Sequence, residues 1–210
     1  MKKKRTKIYK LLSDRYVSTE QMRIASRNLQ HSIDFRNKTI FLMITSANAT
    51  KGKSIISVKL AASFAEQGKK VLVVDTNFKS PMINELFQIS NELGFSNIIN
   101  GQIDSRIPIK TSIPYLSILP AGLPMNNTFR MSLADRLSII KKNWATLYDI
   151  VIFDSPSLLE VSDSQDFMNI CDGVVLVVKE NKTNKEEVSL ISKSVTRAEK
   201  KVLGVIYQVS

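Results

Sequence analysis

Residues 39–54 read Thr-Ile-Phe-Leu-Met-Ile-Thr-Ser-Ala-Asn-Ala-Thr-Lys-Gly-Lys-Ser, and this stretch decides the fold. Thr39 to Thr45 form a short apolar run rich in β-branched and aromatic side chains, the pattern of a strand buried on both faces. The eight residues Ala47, Asn48, Ala49, Thr50, Lys51, Gly52, Lys53 and Ser54 match G-x-x-x-x-G-K-[ST] at every fixed position but the first, where Ala47 replaces glycine. Such a strand-to-helix turn aims backbone N–H groups at a polyphosphate, neutralises its outer charge with an ammonium and offers a hydroxyl to Mg²⁺. Lys53 and Ser54 fill the last two roles.

Working outward, Ile56, Leu60, Ala61 and Phe64 keep a helical period from Lys53 to Gln67, and Gly68 stands where a helix ends. Upstream, Ser18 and Gln21 form a capping box for a helix to about Ser32 with Met22, Ala25 and Leu29 on one face. Downstream, Val71 to Asp75 and Asp149 to Asp154 read as buried strands that each end in a carboxylate. Further strands are expected at Leu116–Leu119, Gly173–Val178 and Val202–Tyr207, and further helices at Pro81–Phe87, Gly94–Asn100, Met131–Leu147 and Asn184–Ala198. Alternation of this kind predicts an α/β fold: a P-loop NTPase-type, mostly parallel sheet with helices on both faces and ligands at the carboxyl ends of its strands.

The chain has 210 residues, 43% of them hydrophobic, enough for one sizeable core. We read residues 1–16 as a basic, disordered tail and 17–210 as one domain. The formal net charge is +11, and Lys2, Lys3, Lys4, Arg5, Lys7 and Lys10 supply six of these charges, so 11 less 6 leaves +5 for the body. A tail of this kind is either solvated or drawn to an anionic membrane surface. The longest apolar runs fall well short of the roughly 18 residues a spanning helix needs. Leu11-Leu12 is too short for a signal-peptide core, so a cytoplasmic protein is expected. Cys171 and Trp144 read as core residues and His31 as a surface residue.

Three strand ends thus carry polar groups: Lys53 and Ser54 after the first, Asp75 and Asn77 after the second, and Asp154 after a later one. In a parallel sheet these ends share one edge. Here the sequence resembles the bacterial tyrosine kinases of capsule and exopolysaccharide synthesis, the CpsD/CapB type. The likeness covers about Val17 to Tyr207. It rests on Glu20-Gln21-Met22-Arg23, the loop through Gly52-Lys53-Ser54, Gln67 through Asp75, Leu119 through Gly122, Tyr148 through Pro156, Ser162 through Gln165, Cys171 through Val178 and Leu203-Gly204-Val205.

The resemblance implies an autokinase-type protein-tyrosine kinase that uses ATP and Mg²⁺. Residues 47–54 would bind the nucleotide, and Asp75, Lys53 and Asn77 would form the catalytic set, with Asp75 accepting the tyrosine proton. Ser54, Asn77 and Asp154 would hold the metal, Asp154 through water. It further implies self-assembly through the helix carrying Glu20 and Arg23. Activation would come from a membrane-anchored modulator of polysaccharide chain length, of the Wzz/CapA type, at the inner face of the plasma membrane, with no nucleic acid.

Departures from the family pattern suggest an alternative, a catalytically weak or inactive nucleotide-binding regulator of the same assembly. Thr50 stands where a glycine is usual, and a β-branched residue at positive φ costs roughly 1–2 kcal/mol. The usual Asp-x-Asp-x-Arg reads Asp75-Thr76-Asn77-Phe78-Lys79, so an amide that is a poor base replaces a carboxylate. Ser157 replaces a proline, and Ser26 replaces the second arginine of the assembly motif, with Arg27 beside it. The family's tyrosine-rich tail is expected to be missing beyond the last strand, and Tyr9, Tyr16, Tyr115, Tyr148 and Tyr207 are scattered. A ParA/MinD-type ATPase is a further alternative, but Asn48 occupies the position of that class's second lysine.

Overall fold

The Ser18 hydroxyl accepts from the Gln21 N–H at 3.1 Å while Gln21 Oε1 accepts from the Ser18 N–H at 2.9 Å. The first helix, α1 (Thr19–Ser32), therefore opens on the reciprocal cap its sequence predicts. The structure, a computed structural model, describes residues 18–33, 38–48, 52–105, 108–124, 133–159 and 164–209. The basic stretch 1–16 and Thr50 lie outside these residues, as do Tyr9 and Tyr16.

After α1 come β1 (Ile40–Ser46), α2 (Lys53–Glu66), β2 (Val71–Asp75), α3 (Ile83–Phe87) and α4 (Phe95–Ile99). They are followed by β3 (Ile109–Lys110), β4 (Leu116–Leu119), α5 (Leu133–Trp144), β5 (Ile150–Asp154), α6 (Ser164–Ile170), β6 (Gly173–Lys179), α7 (Lys185–Arg197) and β7 (Val202–Gln208). The seven strands form one sheet in the order β3-β4-β2-β5-β1-β6-β7, parallel except for β3. This is the α/β, mostly parallel architecture expected from the alternation of elements.

The apolar runs are continuous because both faces of the sheet are covered. On one face Ile40, Leu42 and Ile44 pack with Met22 and Leu29 of α1 and with Leu60 and Phe64 of α2. On the other, Phe41 and Met43 meet Phe95 of α4, Trp144 of α5, Phe167 of α6 and Ile191 of α7. Phe95 sits 5.7 Å from Trp144, 6.1 Å from Phe153 and 5.8 Å from Phe167, measured between ring centroids. Phe78, from the loop after β2, stacks 6.3 Å from Phe95 and so joins the same cluster. The Trp144 Nε1–H donates to the Ser105 carbonyl at 2.8 Å, which satisfies the polar end of a fully buried ring. Cys171 is buried and burial pushes its thiol pKa up, in keeping with an inert core residue. His31 is exposed.

Two expectations need correction. The helix placed from Pro81 begins at Ile83, because the Met82 and Ile83 N–H groups are taken by the Asp75 carboxylate instead of being left to an earlier turn. The helix expected to reach Leu147 ends at Trp144, where residues 145–147 close as a turn. Two elements escaped sequence reading: β3, two exposed residues paired antiparallel to β4, and α6, a seven-residue helix that buries Phe167 and Met168. Among the described residues no helix is long and apolar enough to cross a membrane.

Trp144→Ala is expected to destabilise the fold by about 3–5 kcal/mol, since it removes a fully buried ring that packs against Phe95 and Phe153. Urea denaturation of parent and variant checks this, and Trp144→Phe, which keeps most of the volume, should lose distinctly less.

Candidate active site

The register of the sheet assembles the site. β2 and β5 run parallel with Asp75 opposite Asp154, and β5 pairs with β1 so that Asp154 lies opposite Ile44. The carboxyl ends of three adjacent strands therefore converge where β1 leads toward α2. Neighbouring strands are about 4.8 Å apart, so the two aspartates are held as close neighbours by the backbone itself. Both are fully buried.

Gly52 opens α2 with φ at 104°, a left-handed conformation that suits glycine, and a Cβ there would come within 2.8 Å of Gln208 Nε2. Lys53 follows, 5% exposed, and its Nζ donates to Asp154 Oδ1 at 2.7 Å. One turn later Ser57, fully buried, donates to the same Oδ1 at 2.9 Å. The other carboxylate oxygen, Asp154 Oδ2, is buried and has no hydrogen-bond partner among the described residues. The Asp154 carbonyl is held by Thr76 through its N–H at 3.0 Å and its hydroxyl at 3.1 Å. Ser54 is also buried, at the same end of α2.

Asp75 has a different set of partners. Its Oδ1 accepts from the Asn77 N–H at 2.9 Å, and its Oδ2 accepts from the N–H groups of Met82 at 2.8 Å and Ile83 at 3.0 Å. Burial first, and then the charge of Asp154, raise its pKa from 3.8 to about 6 against the opposing pull of these three N–H groups. Asn77 Oδ1 accepts from the Ser80 N–H at 3.2 Å and so closes the local turn that follows β2.

Of the sequence-predicted residues, the structure brings Lys53, Asp75 and Asp154 together, and Ser54 follows Lys53 in the first turn of α2. Ala47 is buried at the end of β1, and Asn48 Nδ2 donates to Glu187 Oε1 at 2.6 Å, which ties the start of the loop to the capping box of α7. Ala49, Thr50 and Lys51 lie outside the described residues. Asn77 directs its amide oxygen into its own turn. Sequence reading missed Ser57, Glu187 and Gln208. Only Ser57 carried a signal, its spacing of four from Lys53 on one helix face. The Glu20 and Arg23 pair lies away from these strand ends on α1, where Arg23 bridges Glu66 of α2 at 3.1 Å and Glu20 at 3.6 Å.

The donor set fits a hard divalent cation. Mg²⁺ takes oxygen ligands, keeps several waters and uses one or two carboxylates together with substrate phosphates. A buried carboxylate oxygen without a donor among the described residues, together with the hydroxyl that Ser54 supplies at the start of α2, suits it.

A family model described as an AAA domain matches residues 41–205. The tyrosine-protein kinase YwqD of Bacillus subtilis is 31% identical over 192 residues, covering 90% of this chain and 80% of that protein. The tyrosine-protein kinase CpsD of Streptococcus agalactiae serotype III is 29% identical over 184 residues, covering 85% and 78%. Among solved structures, the chimerical protein CapA2B2 superposes with a TM-score of 0.80 at 27% identity, over 90% of this chain and 83% of that one.

The raised pKa of Asp75 has a defined effect on stability. Between 3.8 and about 6 the folded protein holds a proton that the unfolded chain has released. The contribution of this group is thus full below 3.8 and is lost as pH rises through about 6. Urea denaturation across this range is expected to show parent stability improving relative to Asp75→Asn as pH falls.

Proposed function

This chain belongs to the family of bacterial tyrosine-protein kinases, and we propose that it transfers the terminal phosphoryl group of ATP to protein tyrosines in the control of capsular or exopolysaccharide synthesis. The observation that carries the reading is the convergence of Lys53, Asp75 and Asp154 at the carboxyl ends of three parallel strands. Phosphoryl transfer asks a protein mainly for positioning and charge neutralisation, and these residues are suited to both.

On this reading residues 47–54 cradle the phosphates through backbone N–H groups, and Lys53 exchanges Asp154 for the outer phosphates. Ser54 and Asp154 hold Mg²⁺, which when bound neutralises charge on the phosphate oxygens. Asp75 accepts the proton of the incoming tyrosine hydroxyl. Its raised pKa makes it a better base than an ordinary aspartate, and its three N–H donors hold it still. Asn77 contributes by shaping the loop that carries Asp75's donors.

The partner on this reading is a membrane-anchored chain-length modulator of the CapA type, which brings the kinase to the inner face of the plasma membrane. The likeness to the chimerical protein CapA2B2 supports it. Self-association through α1 would exchange the internal Arg23–Glu66 pair for contacts with a second copy. The basic residues 1–10 would add attraction to anionic lipid.

One observation favours a second reading, a weak or inactive nucleotide-binding regulator: Asn77 carries no negative charge and its amide oxygen is engaged by Ser80. Incubation of the purified protein with labelled ATP, Mg²⁺, the modulator fragment and its tyrosine-bearing partner separates the two. The kinase reading expects transfer that falls at least about 100-fold in Lys53→Ala, in line with the loss of one strong electrostatic contact to the transition state. No transfer, with Lys53→Ala indistinguishable from the parent, overturns it. A large gain in Asn77→Asp over a near-silent parent favours the regulator.

A further inference from the structure

We propose that Ser57 is a positioning residue that keeps Asp154 oriented for the metal after Lys53 has turned to the nucleotide. It thereby sets the affinity for Mg²⁺ without touching nucleotide, metal or substrate. This inference rests on the nucleotide and metal roles given above for Lys53 and Asp154.

Asp154 Oδ1 has two donors in this structure, Lys53 Nζ at 2.7 Å and Ser57 Oγ at 2.9 Å, while Oδ2 has none among the described residues. The backbone of Asp154 is already fixed, since Thr76 holds its carbonyl through two hydrogen bonds. What remains undetermined is the rotation of the carboxylate about its last torsion, which is broad and roughly two-fold for aspartate. When phosphates draw the ammonium away, Oδ1 loses its cation. Ser57 then remains as its donor, so Oδ1 stays turned toward α2 and the unpartnered Oδ2 keeps its present direction. A hydroxyl has one hydrogen, and Ser57 has a second acceptor within reach, the Lys53 carbonyl at 3.2 Å. The shorter contact to a charged oxygen prevails, because charge-assisted bonds are about twice as strong as neutral ones.

The burial of Ser57 argues for such a role. Its side chain is fully buried in the first two turns of α2, where an alanine would pack as well and favour the helix more. A hydroxyl in that place is explained by what it holds. Groups that orient a metal-binding carboxylate from behind commonly change metal affinity by 10- to 100-fold when removed.

Calorimetric titration of parent, Ser57→Ala and Ser57→Thr with ADP tests this, once in excess EDTA and once in excess Mg²⁺. Parent protein is expected to bind ADP more tightly with the metal. Ser57→Ala should bind metal-free ADP like the parent but lose about tenfold of the gain from Mg²⁺, and Ser57→Thr, which keeps the hydroxyl, should recover most of it. An equal gain from Mg²⁺ in parent and Ser57→Ala overturns the inference alone and leaves the nucleotide and metal reading intact. Loss of ADP binding in Ser57→Ala with and without metal also overturns it, because Ser57 would then shape the loop itself. A parent that binds no ADP, or gains nothing from Mg²⁺, overturns this inference together with the reading it rests on.

Discussion

Two carboxylates held side by side by strand register, one of them paired with a buried ammonium, are the constraint on which the rest of the molecule depends. Desolvating an ion costs several kcal/mol even after relaxation, and Asp75, Asp154 and Lys53 are all buried. Each charge therefore has a dedicated arrangement. Asp154 takes Lys53 and Ser57 on one oxygen, and Asp75 takes three backbone N–H groups from the loop it precedes. The second arrangement determines local structure. By gathering the N–H groups of Asn77, Met82 and Ile83, the carboxylate sets the path of residues 76–83 and the starting point of α3.

The sheet supplies the stiffness this requires. Its strands are apolar on both faces, so a slip of β2 against β5 would separate the aspartates and misalign two cores at once. The helices that cover the two faces also meet the site directly. α2 carries Lys53, Ser54 and Ser57, and α7 holds Asn48 through Glu187. Glu187 is also the third residue of the α7 capping box, so the start of the phosphate loop and the start of that helix share one carboxylate. Its pKa is lowered by the Asn48 amide and by the Asn184 N–H, which keeps it charged for both tasks.

Much of this was legible in the sequence because the strongest signals were local. Val71–Asp75 and Leu116–Leu119 are bounded as read, and the Ser18 and Gln21 cap is the one expected. Aspartates that end apolar runs pointed to a shared sheet edge before any pairing was known. What stayed hidden was non-local. Nothing in the spelling of Asp75-Thr76-Asn77-Phe78-Lys79 says that the carboxylate will bind main-chain groups seven and eight residues on. α6 is too short to show a helical period, and β3 is two exposed residues whose pairing is a property of β4. Gln208 meets Gly52 across 156 positions of sequence, a contact only the folded sheet creates.

Phe78 sits one residue beyond Asn77 and stacks on Phe95, which in turn lies against Trp144, the chain's sole tryptophan. The loop that organises Asp75 is thus joined by two ring contacts to a single indole. That gives the protein a native optical probe: displacement of residues 76–80 alters the packing around Trp144, and the emission of one fluorophore reports on the working end of the sheet without any label.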